Sequence, residues 1–367
     1  MNSPFDDFYF GKKVLITGHT GFKGSWLAVW LKHLGAEVIG YALDPPTDPS
    51  IYELCHVPDF ITSIFGDVRD LDHLNSVIQQ EEPEIVFHLA AQSLVKRSYK
   101  EPVETYSTNI MGTAHLLEAV RRSPSVKAAV IISSDKCYKN NEWYWGYRET
   151  DALGGADPYS SSKGCCELVT RAFIDSYFNP DRYLQHHTAV ATARAGNVIG
   201  GGDWAEDRLI PDCIKNLQQQ QTILIRSPDA VRPWQHVLEP LGAYLVLARN
   251  LYFHGTRFNG AWNFGPDYGD ARPVRWVVST LIKLWGNQAA WKIDENPHPH
   301  EANILKLDCS KAQTILKWKP NWNLEQALEK TAAWYKAHFN QEDMLKVTLE
   351  QIRSFENTFY EKAGLIQ

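Results

Sequence analysis

The sequence predicts an α/β fold: a doubly wound parallel sheet with a smaller, partly interleaved C-terminal lobe. Three observations predict it. Apolar strand-like runs alternate with amphipathic stretches from residue 12 onward, glycines punctuate the first strand-to-helix junction, and beyond about residue 200 the rhythm breaks into short segments and prolines. Strand, helix, strand repeated in this way builds a parallel sheet covered on both faces, with right-handed crossovers.

Lys13-Val14-Leu15-Ile16-Thr17 reads as the first buried strand. Leu27, Trp30, Leu31 and Leu34 then recur at i, i+3, i+4, i+7, the spacing of one helix face, and Gly35 stands where a helix C-cap belongs. Val38 to Leu43, Phe60 to Phe65, Ile85 to Leu89 and Ala128 to Ser133 continue the strands, with helical stretches near 70–80 and 104–122. Gly200-Gly201-Gly202-Asp203-Trp204 is loop chemistry, prolines follow at 211, 228, 233, 240, 266, 273, 297 and 299, and 322–360 reads as helical and surface-packed. The chain divides at about 200, with residues 1–200 carrying the first sheet and the catalytic candidates. Residues 201–367 form mainly a substrate lobe, with some segments returning to the sheet.

The 367 residues, 44% hydrophobic and 12% aromatic, suffice for one large or two fused domains with a substantial core. A net charge of -6 and a pI near 6.1 exclude the electrostatic footprint of a nucleic-acid or anionic-membrane binder. No apolar run approaches the ~20 residues that span a bilayer. The start Met1-Asn2-Ser3-Pro4-Phe5-Asp6-Asp7 lacks the basic and apolar regions of a signal peptide, so a cytoplasmic protein is expected. Cys55, Cys137, Cys165, Cys166, Cys213 and Cys309 form no C-x-x-C pair and read as reduced thiols. His298-Pro299-His300-Glu301 is a poor zinc signature, and no metal is expected.

The chemistry-bearing residues fall at strand ends. Gly18, Gly21 and Gly24, with Thr20, Phe22 and Lys23 between them, occupy the turn from first strand to first helix. There, backbone N–H groups and the positive helix end meet a pyrophosphate. Asp44 follows the second strand, where a carboxylate accepts from ribose hydroxyls and repels a 2′-phosphate, favouring NAD over NADP. Its alternative is to open the turn Asp44-Pro45-Pro46. Asp67, in Gly66-Asp67-Val68-Arg69, suits an adenine edge or the N-cap of the next helix. His88-Leu89-Ala90-Ala91-Gln92 ends a strand in small residues, where a backbone can approach a flat cofactor, and Asn109 beside Thr108 suits an anchor for a helical kink or for a water near the active site, or a generic helix position.

Ser134, Asp135 and Lys136 follow the fifth strand, on the side of an open α/β sheet that faces ligand. A hydroxyl there can bond a substrate alcohol, and an adjacent carboxyl and amine form an acid/base pair. Tyr159 and Lys163 lie four apart on one helix face, so the ammonium can favour the phenolate. Bringing a phenol of pKa ~10 near neutrality takes roughly 4 kcal/mol, which a fixed cation and a nicotinamide's charge can supply.

Together these residues resemble the extended short-chain dehydrogenases/reductases that act on nucleotide sugars. The resemblance runs over nearly the whole chain: the segment Thr17 to Trp26, His88-Leu89-Ala90-Ala91-Gln92, Ser134-Asp135-Lys136, Tyr159 with Lys163, Arg194-Ala195-Gly196-Asn197-Val198, and Arg232-Pro233-Trp234-Gln235-His236-Val237. It implies a Rossmann fold, NAD as cofactor, and a 4,6-dehydration. In that reaction Tyr159, aided by Lys163 and Ser134, takes the 4-hydroxyl proton, and Asp135 protonates the departing 6-hydroxyl. By the same resemblance the cofactor is held by Gly18, Thr20, Gly21, Phe22, Lys23, Gly24, Asp44, Asp67, Val68, Leu89, Ala90, Ala91, Thr108, Tyr159 and Lys163. Gln92, Ser134, Asn197, Arg208, Arg232 and Asn263 hold the nucleotide sugar, arginine because its planar fork meets phosphate oxygens in pairs.

Relatives acting on dTDP-glucose carry Asp-Glu where this chain has Asp135-Lys136, which matches the branch acting on CDP-glucose and leaves the C5 base open. The resemblance also implies a product for deoxysugar or surface-polysaccharide synthesis, and a homodimer through the helices Tyr159–Ile174 and Val103–Val120. The alternatives are a 4-epimerase, which lacks the paired acid and base, a dehydratase for another nucleotide, and a non-catalytic NAD-binding regulator, which typically loses the tyrosine or lysine.

Overall fold

The computed structural model describes residues 4–286, 289–296 and 304–362; the cluster His298, His300 and Glu301 lies outside them. Seven strands form one parallel sheet: β1 (Lys13–Thr17), β2 (Glu37–Ala42), β3 (Thr62–Phe65), β4 (Ile85–His88), β5 (Ala128–Ile132), β6 (Ala189–Ala195) and β7 (Gly260–Phe264). Their order is β7-β6-β5-β4-β1-β2-β3. The first strand has the predicted bounds and the next four shift by one or two residues. Chain direction across the sheet reverses at β1, between β2 and β4. A crevice therefore opens at the carboxyl ends of β1 and β4, where Thr17 stands opposite His88.

Strands buried on both faces read as continuous apolar runs, and β4, β5 and β6 are buried at every residue. Alternation along β1 sends Val14 and Ile16 into one core and Leu15 into the other. Helix α1 (Phe22–His33) follows the glycine turn and is buried from Gly24 through Leu31, more than its one-face periodicity predicts. The reason lies at the far end of the chain. The predicted C-terminal helical stretch is two helices, Leu324–Phe339 and Met344–Lys362, and Glu356 of the second accepts from Trp30 Nε1 at 2.7 Å and lies 3.3 Å from His33 Nε2. α1 is thus covered on its outer side.

The helix expected over 104–122 is interrupted. Pro102–Tyr106 runs into a π-helical turn, Ser107–Met111, before α-helix resumes over Gly112–Arg122. Beyond residue 200, β7 and the buried helix Leu238–His254 join the first sheet and its core, while the other described strands pair in twos, Gln235–His236 with Val198–Ile199 just before residue 200. The six cysteines are free thiols, five of them buried. Among the described residues no helix is long and apolar enough to cross a membrane.

Candidate active site

The glycine turn shows what each glycine is for. Gly18 has φ +78°, and a Cβ there would lie 2.8 Å from Ala90 N; one on Gly24 would lie 2.1 Å from Gly18 O. These two let the turn touch the end of β4 and let α1 start against the turn. A Cβ on Gly21 would meet only Gly18 O, at 3.5 Å, an ordinary contact. The protein's own packing does not demand glycine at 21. It is the N-cap of α1 and supplies no side-chain cap, so the first-turn N–H groups are left for another acceptor. Here the residues fit a pyrophosphate.

Around the turn, Thr20 donates to Leu43 O at 2.9 Å, and Phe22 packs beneath Gly200. Lys23 leaves the turn and donates to Tyr244 OH at 2.8 Å. Burial, reinforced by Lys163 and Arg208, lowers its ammonium to about 7. Asp44 is exposed past β2, and its carboxylate bonds none of the described residues. Asp67 is gripped by Arg69, whose guanidinium and N–H hold the carboxyl below its ordinary range; the next helix is capped by Asp70. Val68 points into the core, Leu89 and Ala90 bond Thr17, and Ala91, just past β4, and Thr108, in the turn Ser107–Met111, are half-buried.

The turn after β5 carries the acid/base candidates. Ser134 caps the 3₁₀ turn Asp135–Cys137, accepting from Lys136 N at 3.2 Å and donating to Asp135 Oδ1 at 3.0 Å. Asp135 is buried, and its Oδ2 has no hydrogen-bond partner among the described residues. Burial raises its carboxyl, against the pull of Lys136, Ser134 and Arg232. The Lys136 ammonium bonds no described residue. Tyr159 and Lys163 stand in the first turns of the helix Pro158–Ser176, which Asp157 caps through Ser160 N at 2.8 Å, with proline at the first position.

Burial lifts the Tyr159 phenol to about 12, while the Ser134 hydroxyl and Arg208 act to lower it. Lys163 donates to Ile132 O at 3.3 Å rather than to the phenol, and burial lowers its own pKa. The direct ammonium–phenolate contact expected from the four-residue spacing is therefore absent in this geometry.

The expected substrate residues separate into two groups. Arg208 donates to Asp203 Oδ2 and to Ser93 Oγ, both at 2.9 Å, while Arg232 is buried close enough to Asp135 to act on its carboxyl. Asn197 is half-buried with its amide unbonded by described residues. The structure gives Gln92 and Asn263 a different place. The Gln92 amide is saturated by Leu94 N and O and by Thr105 Oγ1, and Asn109 Oδ1 holds its backbone at 2.8 Å. Asn263 is fully buried, accepting from Tyr138 OH and donating to Tyr147 O and Asp308 O. Neither presents a free amide to the crevice.

Two groups carried no assigned role in the sequence: Tyr244, which receives Lys23, and the buried pair Arg194–Glu167, 2.8 Å apart. The second had a signal, because Glu167 falls four residues after Lys163 and Arg194 interrupts an otherwise small, apolar strand. The whole arrangement offers a diphosphate cradle, a phenol, a protonatable carboxyl and an amine around one crevice.

Comparison with known proteins agrees. The family model of GDP-mannose 4,6 dehydratases matches residues 15–255. The chain is 54% identical over 349 residues to the CDP-glucose 4,6-dehydratase of Salmonella typhimurium, covering 95% of this chain and 97% of that one. It is 27% identical to the dTDP-glucose 4,6-dehydratase of Shigella flexneri, over 89% and 94% of the two chains. A solved dTDP-glucose 4,6-dehydratase from Bacillus anthracis in complex with NAD superposes with TM-score 0.74 at 22% identity, over 91% of this chain and 100% of that one.

Proposed function

This chain belongs to the GDP-mannose 4,6-dehydratase family, and from that premise we propose that it converts CDP-glucose to CDP-4-keto-6-deoxyglucose with NAD as a regenerated cofactor. One observation carries the reading: Asp135 and Lys136 share a single turn at a strand end beside Tyr159, in a chain 54% identical to a CDP-glucose 4,6-dehydratase. A 4-epimerase needs the phenol but not that pair.

Glycine at 21 where the protein's own packing does not demand it, the first turn of α1 without a side-chain cap, and Asp44, unbonded by described residues, fit the diphosphate and ribose of NAD. Bound NAD+ supplies a hydride acceptor for C4 and, once reduced, a donor for C6. Tyr159 takes the 4-hydroxyl proton. With burial holding the phenol near 12, its anion needs adjacent positive charge; Arg208 supplies one cation and Lys163, a helical turn away, another. The C4 ketone acidifies the C5 hydrogen. Lys136, its ammonium unbonded by described residues, is the candidate to accept that proton in its deprotonated form. Asp135, raised by burial and with Oδ2 unbonded by described residues, gives a proton to the 6-hydroxyl, which leaves as water, and C5 takes a proton back as C6 receives the hydride. Arg208, Arg232 and Asn197 suit the sugar's diphosphate.

Val103 and Met111, at 79% and 48% exposure on the 102–122 segment, and Leu168, at 60% on the helix of Tyr159, support a homodimer through these helices. A cytoplasmic location and a product destined for deoxysugars of surface polysaccharide, such as the O-antigen of lipopolysaccharide, complete the reading. Incubation of the purified protein and NAD with CDP-, dTDP-, GDP- and UDP-glucose tests it. A 4-keto-6-deoxy product from CDP-glucose in clear preference is expected; preference for another nucleotide, or a 4-epimer as product, contradicts it.

A further inference from the structure

A column of stacked groups runs from the surface to the helix that bears Tyr159. Trp145, 57% exposed, lies 5.2 Å from Trp143, Trp143 lies 5.0 Å from Tyr147, and Tyr147 stacks on Tyr138 at 5.1 Å and 21°. The Arg194 guanidinium caps the column 4.8 Å from the Tyr138 ring and pairs with Glu167 on the Tyr159 helix, each side chain 3% exposed. The Tyr138 hydroxyl is the junction. It donates to Asn263 Oδ1 on β7 and accepts from Arg194 Nη1 on β6, each at 2.7 Å.

Tyr138 is also the residue that ends the Asp135–Cys137 turn. One phenol therefore joins the turn of Asp135 and Lys136, the last two sheet strands and, through Arg194, the helix of Tyr159 and Lys163. We propose that Tyr138 is a positioning residue for the elimination step: its hydroxyl sets the Asp135–Lys136 turn against the Tyr159 helix. This rests on the 4,6-dehydratase reading above.

The helix keeps other anchors if that hydroxyl is lost. Glu167 still accepts from Arg194 and from Thr192 Oγ1 at 2.7 Å, and Ser162 still receives Asn109 Nδ2 at 2.8 Å. Among the described residues the turn's other side-chain bonds, those of Ser134, are internal to it, and Gly154 N reaches Cys137 O at 2.8 Å; the Tyr138 hydroxyl is what links it by side chain to β6 and β7. Loss of the hydroxyl thus displaces Asp135 and Lys136 while leaving Tyr159 in place. Displacement of about 1 Å at a reacting group costs on the order of 10²-fold in rate. Burial pushes the Tyr138 phenol far up, so it acts as a neutral hydrogen-bonding post and not as a second acid.

The test is Tyr138→Phe, which keeps the ring, the stack and the cation–π contact. Single turnovers with NAD and CDP-glucose are acid-quenched, ketones are reduced with borodeuteride, and mass spectrometry partitions C4-ketone that retains its 6-hydroxyl from 6-deoxy product. The variant should lose about 100-fold in kcat with KM nearly unchanged, and should accumulate the ketone that retains its 6-hydroxyl. Tyr147→Phe serves as control and should partition as the parent does, because that hydroxyl bonds its own loop, Asn140 Oδ1 and Asn141 N among it, and not the strands or the Tyr159 helix. Parent-like partition in Tyr138→Phe, whatever its melting temperature, overturns the proposal. If Tyr138→Phe does not fold, Arg194→Lys, which cannot reach Tyr138 and Glu167 together, is read by the same partition. A parent protein that forms no 4-keto product from CDP-glucose overturns the dehydratase reading, and this proposal with it.

Discussion

Alanine at position 21 separates what the glycine turn does for the protein from what it does for a bound diphosphate. Gly21 has φ -82° and ψ 168°, which alanine adopts freely, and the new methyl would meet only Gly18 O at 3.5 Å. An N-cap alanine costs about 0.5–1 kcal/mol relative to glycine, and the lost freedom of the unfolded chain returns about 0.4–1 kcal/mol. The two nearly cancel, so the melting temperature should move by no more than ~2 °C. With a diphosphate seated on the first-turn amides, the added methyl is expected to crowd it. Losing one hydrogen bond to a charged oxygen there is worth about 1.5–3 kcal/mol, which is roughly a 10- to 100-fold weaker Kd for NAD. Gly24→Ala is the contrast, because its Cβ would fall 2.1 Å from Gly18 O and backbone must move. That variant should lose about 1–3 kcal/mol or more of stability. Calorimetric titration with NAD and with ADP-ribose, beside thermal melting, reads both. Parent-like NAD affinity in Gly21→Ala, or a melting loss as large as that of Gly24→Ala, would refute this reading of the turn.

Further outcomes are expected. Tyr159→Phe should lose about 10²–10⁴-fold in turnover while still binding nucleotide sugar, and Asp135→Asn should instead stall after C4 oxidation; quench analysis showing the same block in both contradicts the assigned roles. Lys23 has a folded pKa of about 7 against an ordinary 10.5. The unfolded chain therefore binds more protons between those values. The penalty is full below about pH 7 and fades as pH rises toward about 10. Lys23→Met should melt above the parent at pH ~7 and converge with it near pH ~10; a constant difference across that range contradicts the burial argument. Leu168→Glu should give monomers in sedimentation if the exposed helix faces pair two copies, and an unchanged mass refutes that contact.

Much of the fold was legible because it rests on local patterns. The β1 run and the glycine turn are contiguous in sequence, and the alternation of strands and helices implies the parallel order. The full burial of α1 was not legible, since its outer cover comes from Glu356 and the helix around it, more than 300 residues away. Asn109 was legible as a kink anchor, but not the π-helical form of the turn nor the partners of its amide, the Gln92 backbone and Ser162 Oγ. Polar residues in motifs announce that a hydrogen bond is needed, not who supplies the partner. Gln92 and Asn263 were read toward ligand, yet their amides close on main chain and neighbouring side chains. Lys23 lies within the glycine turn by sequence but points to Tyr244, on a helix that folds back from beyond residue 200.

Internal redox dehydration is tested most directly by following the C4 hydrogen. CDP-glucose deuterated at C4 is incubated with the protein and NAD in ordinary water, and the product is examined by NMR and mass spectrometry. The account predicts CDP-4-keto-6-deoxyglucose with the deuterium at C6 of the same molecule; in a parallel run in heavy water with unlabelled substrate, one solvent deuteron should enter at C5. Deuterium retained at C4 of an epimerised sugar, or lost to free reduced cofactor, would contradict it.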